Sequence, residues 1–215
     1  MTWLRGHFFD VLSLAGQHIY LAGVPLVLGL LIALPLGWLA CRYRVLYPFL
    51  IIGTGLLYTI PSLALFIMLP LLLGTRILDP INVLIAMTIY TVALLVRTVA
   101  DGLGSVPDVV NQAATAMGYK RVRRFMSVEL PLAVPVISAG LRVAAVSNVS
   151  IVSVATLIGV SQLGSLFIDG FNRAFMDPII VGVVACVLLA LLFDLAILGG
   201  TRLLTPWQRA GKASS

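Results

Sequence analysis

Five long apolar segments, separated by shorter polar stretches, dominate the pattern of residues along the chain. They occupy residues 18–41, 48–73, 81–102, 133–160 and 178–203. Each is long enough to cross a lipid bilayer as a helix, which takes roughly 20 mostly apolar residues. Prolines interrupt the first two segments, at Pro25, Pro35, Pro61 and Pro70. Membrane helices tolerate such prolines because neighbouring helices or cavities satisfy the freed carbonyls. The pattern therefore predicts an all-α, polytopic membrane protein with five spans.

The two ends of the chain differ from the apolar segments. Residues 1–17 lack the uninterrupted apolar core of a signal peptide. The residues that interrupt it are Trp3, Arg5, His7 and Asp10. This mixture predicts a short helix at the membrane interface. Residues 204–215 are predicted to form a short cytoplasmic tail.

Composition agrees with a membrane protein, since 60% of the 215 residues are hydrophobic, 10% are charged and the mean hydropathy is +1.10. A soluble domain averages about 45–50% apolar and about 25% charged residues. The formal charge of +6 does not indicate nucleic-acid binding, because the basic residues form no face with interleaved aromatics. Cys41 and Cys186 lie in or next to apolar segments and indicate neither a disulfide framework nor a metal site.

The distribution of lysine and arginine predicts the orientation in the membrane. With the N-terminus outside, nine of the 14 basic residues lie in inner loops or the tail, three lie in outer segments and two lie within spans. The inner ones are Arg42, Arg44, Lys120, Arg121, Arg123, Arg124, Arg202, Arg209 and Lys212. Cytoplasmic loops carry an excess of basic residues, so the N-terminus is predicted outside and the C-terminus inside.

The longest inner loop, residues 103–132, has the pattern of a short amphipathic helix followed by a turn. Ser105 is predicted to cap this helix, with Pro107 in its first turn and Asp108 three residues after the cap. Apolar residues then recur at helical spacing, at Val106, Val109, Val110, Ala113, Ala114 and Met117. Gly118 is predicted to end the helix in a left-handed conformation. From these residues alone, a helix that lies on the lipid and contacts anionic headgroups is an alternative.

The same loop carries a spaced set of residues that resembles the signature loop of type I ABC importer permeases. The family pattern is Glu-Ala-Ala, three residues, Gly, nine residues, Ile, any residue, Leu-Pro. The matching positions are Gln112, Ala113, Ala114, Gly118, Val128, Leu130 and Pro131. The spacing fits without a gap, but Gln112 replaces the usual glutamate and offers no charge for an ion pair. The resemblance extends over residues 18–203, which would form one permease domain.

The resemblance implies a mechanism and a set of partners. The loop would dock on a cytoplasmic ABC ATPase dimer, whose closure on ATP would rock the permease from inward-facing to outward-facing. The chain has no phosphate-binding glycine loop followed by Lys and Ser or Thr. ATP and Mg²⁺ are therefore expected on the partner ATPase, and no cofactor is expected in this chain. The other implied partners are a second permease subunit, identical or homologous, and an extracytoplasmic solute-binding protein, in a bacterial or archaeal plasma membrane.

Several stretches resemble the osmoprotectant subfamily, which imports glycine betaine, proline betaine, carnitine, choline and related quaternary amines. These stretches are residues 58–65, 130–137, 139–142, 157–159 and 163–164. A quaternary ammonium is recognised tightly by an aromatic cage, and a chain with 8% aromatic residues suits a weakly binding path instead. The candidate path residues are Tyr58, Thr59, Pro61, Ser62 and Asn148. Alternatively, these polar groups satisfy a kinked backbone or hold helices together.

Opposite charges lie at equal predicted depth in the last two spans. Arg142 lies nine residues past the inner start of the fourth span, and Asp194 lies nine residues before the inner end of the fifth. At 1.5 Å per residue, each would lie about 13 Å inside the membrane. We predict that they form a buried ion pair. Arg97 and Asp101, four residues apart near the inner end of the third span, are expected to form an ordinary interfacial pair.

Other functional classes fit the sequence less well. The same machinery could serve another small solute, such as an amino acid or an oxyanion. A transporter driven by an ion gradient would use intramembrane carboxylates and usually internal repeats, whereas Asp194 is the one acidic residue deep in a predicted span. A scaffold without a transport role would tolerate changes at Gly118 and Pro131. An enzyme is not indicated, since the only histidines are His7 and His18 and no nucleophile–base set is present.

Overall fold

Ten α-helices make up most of residues 2–43, 45–76 and 78–207, which are the residues that the computed structural model describes. They are α1 (Thr2–Gly6), α2 (Phe8–Arg42), α3 (Leu46–Thr59), α4 (Ser62–Leu73), α5 (Pro80–Gly104), α6 (Asp108–Ala116), α7 (Arg121–Arg124), α8 (Leu130–Val152), α9 (Ser165–Asn172) and α10 (Met176–Leu204). A π-helical turn (Phe125–Glu129) joins α7 to α8, and a 3-10 turn (Ser153–Ile158) follows α8. The described residues contain no β-strand.

The predicted all-α architecture with five spans is confirmed, with one span broken in two. The helices α2, α5 and α10, and α8 with its flanking turns, are each long and apolar enough to cross a bilayer. The helices α3 and α4 meet that test only as a pair, which is bent by 100° at a short break. Counted as one span, the pair brings the total to five for the described part of the chain.

The break between α3 and α4 falls at Ile60-Pro61. Proline has no N–H to continue a helical ladder, and it disfavours helical backbone in the residue before it. Ile60 and Pro61 are accordingly extended, with ψ angles of 130° and 131°. The buried Tyr90 of α5 donates its hydroxyl to the Ile60 carbonyl, so this backbone oxygen has a partner inside the protein. The sequence pattern predicts a proline kink here, and the structure shows a complete break.

The ends of the chain depart from the boundaries that the sequence predicts. Instead of a separate interfacial helix over residues 1–17, only the five-residue α1 is separate, and α2 runs from Phe8 to Arg42 without interruption. The 35 residues of α2 span about 50 Å at 1.5 Å per residue, which exceeds the ~30 Å of a bilayer's hydrocarbon core. Of the predicted tail over residues 204–215, residues 208–215 lie outside the described residues.

Small residues let α2 and α5 approach each other closely. Gly29, Ala33 and Gly37 recur every four residues along α2, and all three are buried. A β-carbon on Gly37 would lie 2.6 Å from Val99 Cγ1 of α5, and a β-carbon on Gly29 would overlap the side chain of Thr91. Small residues spaced by four are a common basis of helix packing in membranes. This stripe therefore fixes the first span against the third.

Enlarging Gly37 should separate these two helices. We expect Gly37→Leu to destabilise the protein by about 1–3 kcal/mol, the usual cost of overpacking, and to lower the melting temperature of the detergent-solubilised protein. Gly199→Ala in α10 is the matched control, because no atom lies within 4 Å of the position that its β-carbon would take. If Gly37→Leu melts at the temperature of the Gly199→Ala control, the close contact between α2 and α5 is not present in the membrane protein.

The helices α5 and α10 have contrasting surroundings. Most of the apolar stretch of α5 is buried, and this helix packs against α2, α3, α4 and α8. Few residues of α10 are buried, and its main contacts are with α8 and α9 on one side. The opposite side exposes large apolar residues, among them Val187, Leu188, Leu191, Leu192 and Leu195. Such a face is suited to lipid or to another transmembrane helix.

Candidate functional site

The long inner loop folds into α6, a glycine turn and the short helix α7. Gly118 has a φ of +83°, in the left-handed region that the sequence pattern predicts for it. Its amide donates to the Thr115 carbonyl at 3.0 Å and so closes the last turn of α6. The Ala114 carbonyl accepts from the Tyr119 amide at 3.1 Å, which directs the chain away from the helix axis. The glycine thus allows a sharp exit from α6.

The predicted helix cap at Ser105 is wrong. Ser105 has helical backbone angles, with φ −77° and ψ −11°, and it ends α5 rather than beginning α6. Its hydroxyl donates to the Gly102 carbonyl at 2.7 Å, a local bond that takes the side chain out of reach of the next helix. The change of direction comes at Pro107, whose extended backbone (ψ 138°) starts α6 at Asp108.

The residues that match the family pattern take different positions in the loop. On α6, Gln112 and Ala113 are exposed, whereas Ala114 is buried. Val109 lies on the same helix and is 75% exposed, and Met117 lies at the end of this helix and is 70% exposed. The loop therefore presents an uncovered surface that is mostly apolar and includes the amide of Gln112. The remaining pattern residues are half-buried where α8 begins, namely Val128, Leu130 and Pro131.

Arg124 joins this loop to the start of α8. Its Nε donates to Glu129 Oε1 at 2.6 Å, and its Nη1 donates to the Thr115 hydroxyl of α6 at 2.9 Å. The next residue, Phe125, is buried and packs on Trp38 of α2, with ring centroids 5.5 Å apart. The sequence shows only a basic stretch at this point and gives no signal for which arginine is held.

Four of the five candidate path residues lie at the break between α3 and α4. Tyr58 is 40% exposed, and its ring meets the Tyr90 ring edge-on, with centroids 5.8 Å apart. The Thr59 hydroxyl donates at 2.7 Å to a carbonyl three residues earlier, so it satisfies the end of α3. Pro61 is exposed and Ser62 is half-buried at the start of α4. Of these side chains, Tyr58 is the one aromatic ring exposed at the break.

Asn148 lies apart from this break, in the packed interior. It is 2% exposed, and its amide donates to the Ala22 carbonyl of α2 at 3.2 Å and to the Thr91 hydroxyl of α5 at 3.0 Å. These contacts join α8 to the two helices of the small-residue stripe. The position fits the alternative in which a polar side chain holds helices together.

The structure places Arg142 of α8 against Asp194 of α10. Arg142 Nε donates to Asp194 Oδ1 at 2.5 Å and Nη2 donates to Oδ2 at 2.9 Å, a two-point arrangement. The predicted burial is wrong for the single chain, because the two side chains are 40% and 23% exposed. Arg97 and Asp101 also pair, more loosely at 3.7 Å and with side chains 71% and 54% exposed.

Sequence reasoning missed a buried contact between the first span and the segment after α8. His18 is fully buried, with Nδ1 3.0 Å from Gln162 Oε1 and Nε2 3.0 Å from the Val149 carbonyl. The Gln162 amide in turn donates to the Ser153 carbonyl at 3.0 Å. Because 144 positions separate His18 from Gln162, no local pattern could reveal this pairing.

The fold matches a solved membrane transporter. The chain superposes on the MetNI methionine ABC transporter, solved in inward-facing conformations, with a TM-score of 0.81. The match covers 93% of this chain and 98% of that chain at 19% sequence identity. At that identity the likeness shows the fold.

Relatives and family agree with this fold. The osmoprotectant import permease protein OsmW of Salmonella typhimurium is 35% identical over 85% of this chain and 86% of its own length. The glycine betaine/carnitine/choline transport system permease protein OpuCD of Bacillus subtilis is 30% identical over 90% and 83%. The relatives and the fold together define a permease subunit of an ABC transporter. The chain belongs to the family described as binding-protein-dependent transport system inner membrane component, whose model matches residues 26–210.

Proposed function

We propose that this chain forms half of the translocation path of an ATP-driven importer for a quaternary-amine osmoprotectant. Glycine betaine, proline betaine, carnitine and choline are the expected solutes. Support comes from the relatives, since OsmW is an osmoprotectant import permease and OpuCD is a glycine betaine/carnitine/choline permease. Both are aligned over more than four fifths of this chain, so the likeness includes the spans as well as the loop.

The observation that carries the proposal is the uncovered surface of α6. Val109, Ala113 and Met117 are exposed and apolar or small, and an exposed apolar patch is typical of an interaction site. A cytoplasmic ATPase subunit is the proposed cover. Gln112 would contribute hydrogen bonds without an ion pair, so this contact relies on shape and apolar area. ATP would be hydrolysed by that partner, and this chain would transmit the movement.

The proposed orientation places α6 in the cytoplasm and the N-terminus outside. The excess of basic residues on that side of the chain supports it, because nine of the 14 fall there and three fall on the other side. A solute-binding protein would then deliver the solute to the outer surface. A second permease subunit would complete the path across the membrane.

We assign the break between α3 and α4 to the wall of the path. Irregular backbone at membrane depth is tolerated where it is buried in protein or lines a water-filled cavity. Tyr58 is uncovered at this break, and its ring could attract a quaternary ammonium through its π-face. One aromatic ring gives a weak contact with the solute, which suits movement along the path rather than tight binding. Thr59, Pro61 and Ser62 would contribute backbone and hydroxyl oxygens beside it.

Uptake into proteoliposomes tests the proposal. The chain is reconstituted with its second permease and ATPase, the binding protein is added outside, and radiolabelled glycine betaine is followed with and without ATP inside. We expect uptake only with ATP, and competition by unlabelled carnitine and choline but not by methionine. Uptake that needs no ATPase would overturn the permease assignment. ATP-driven uptake of a different solute, with no effect of betaine, would overturn only the substrate.

A further inference from the structure

We propose that Arg124 is a positioning residue that makes α6 and the start of α8 move as one unit. The inference rests on the proposed function, because it concerns how movement of α6 reaches the membrane. It assigns a role to a side chain outside the signature pattern. Arg124 itself need not touch the ATPase or the solute.

The contacts form a continuous path from one helix to the next. In α6, the Thr115 hydroxyl donates to the Asn111 carbonyl at 2.7 Å. The same hydroxyl oxygen accepts from Arg124 Nη1, and Arg124 Nε donates to the Glu129 carboxylate. Glu129 directly precedes α8. Glu129 has helical backbone angles inside a continuous helical stretch, and its carboxylate is held by Arg124.

The backbone alone makes a poor connection between these helices. Between Thr115 and Glu129 the chain passes through the left-handed Gly118, the four-residue α7 and the π-helical turn. The direction of the chain changes at Gly118, whereas α7, the π-turn and α8 follow one another as a single helical stretch. The Arg124 side chain reaches from this helical stretch across the Gly118 turn to Thr115 of α6. Without it, α6 could shift while α8 stayed in place.

The burial of this pair sets it apart from an ordinary surface ion pair. The Arg124 and Glu129 side chains are 26% and 12% exposed, whereas those of Arg97 and Asp101 are 71% and 54% exposed. Exposed pairs contribute little because water and salt screen them. Phe125, adjacent to Arg124, packs against Trp38, so the unit formed by α6 and the start of α8 also contacts α2.

The test measures solute transported per ATP hydrolysed in the reconstituted complex, for Arg124→Ala and for a matched pair at the other end of the link. Thr115→Val removes the hydroxyl that Arg124 contacts, and Thr115→Ser keeps it. We expect the ratio to fall about tenfold for Arg124→Ala and about threefold for Thr115→Val, within the usual range for mutations that modulate coupling between sites. Thr115→Ser and Arg97→Ala should keep the wild-type ratio.

The possible results distinguish this inference from a role of Arg124 in folding alone and from failure of the proposed function. If Arg124 merely helped the loop to fold, less complex would assemble, but uptake and ATP hydrolysis would fall together and the ratio would stay constant. That result, or equal ratios for Thr115→Val and Thr115→Ser, would overturn the proposal. If Arg124→Ala fails to assemble, the Thr115 pair decides. If the wild-type complex shows no ATP-driven uptake, the proposed function fails instead.

Discussion

Uptake by the reconstituted importer is expected to fall at least about tenfold when Gly118 is replaced by valine, while the complex still assembles. Gly118 has a φ of +83°, and an L-residue in the left-handed region costs roughly 1–2 kcal/mol. A β-branched side chain is especially disfavoured there. No atom of this chain lies within 4 Å of the position of its β-carbon. Within this chain, the loss of uptake is therefore expected to come from the backbone of the turn, since a changed backbone conformation would alter the direction of α6.

Asparagine at the same position is the matched control. Asn tolerates the left-handed conformation far better than valine and is the second choice after glycine at helix ends. Gly118→Asn should therefore keep most of the uptake. Equal loss in both variants would instead indicate that any side chain at this position is excluded, for example by a docked partner. Full uptake in Gly118→Val would remove this turn from the coupling mechanism.

Separating Arg142 from Asp194 should have the second large effect. Charged groups within the membrane region are expensive unless paired, and each of these two has the other as a two-point partner. Asp194→Asn leaves the guanidinium without its counter-charge. We expect folded protein in the membrane fraction to fall by about fivefold or more, measured by size-exclusion chromatography of the solubilised protein. Uptake should fall at least as far.

Exchanging the two charges tests whether pairing is the cause. The double variant Arg142→Asp with Asp194→Arg keeps one charge of each sign between α8 and α10, and it should recover part of the folded protein that either single change loses. Arg173→Ala is a suitable control, because Arg173 follows the end of α9 and pairs there with Asp169, and both side chains are more exposed. An Asp194→Asn variant as abundant and active as the wild type would mean that the pair is dispensable.

The sequence predicted the spans well because apolarity over about 20 residues is a local property. It also indicated the left-handed turn at Gly118, since glycine acts through its own backbone. It did not indicate which of the four prolines would break a helix, because Pro25, Pro35 and Pro70 stay inside helices and only Pro61 does not. The pairing of Arg142 with Asp194 followed from depth alone, because few charges lie within the spans. The family that the inner loop resembles was confirmed, and the resemblance could be found because it needs only residue type and spacing.

What the sequence could not provide depends on contacts between distant residues or on competition between neighbours. Serine often caps a helix, but the Ser105 hydroxyl forms its hydrogen bond within the last turn of α5 instead. The start of α2 at Phe8 was hidden because a helix that extends beyond the membrane need not be apolar. The sequence around His18 gives no sign that its ring will lie 3.0 Å from Gln162 Oε1. Arg124 likewise resembles the other arginines of its stretch until its partners are known.

The contrast between α5 and α10 predicts how homologous chains can diverge. A buried helix such as α5 accepts a change only if its neighbours accommodate the new shape, so its substitutions should be rare and should occur together with changes in α2 or α8. The exposed apolar face of α10 needs only to remain apolar, so Leu, Ile and Val should replace one another on this face independently. Asp194 should be the exception on this helix, because a substitution there should occur only together with a compensating substitution of Arg142.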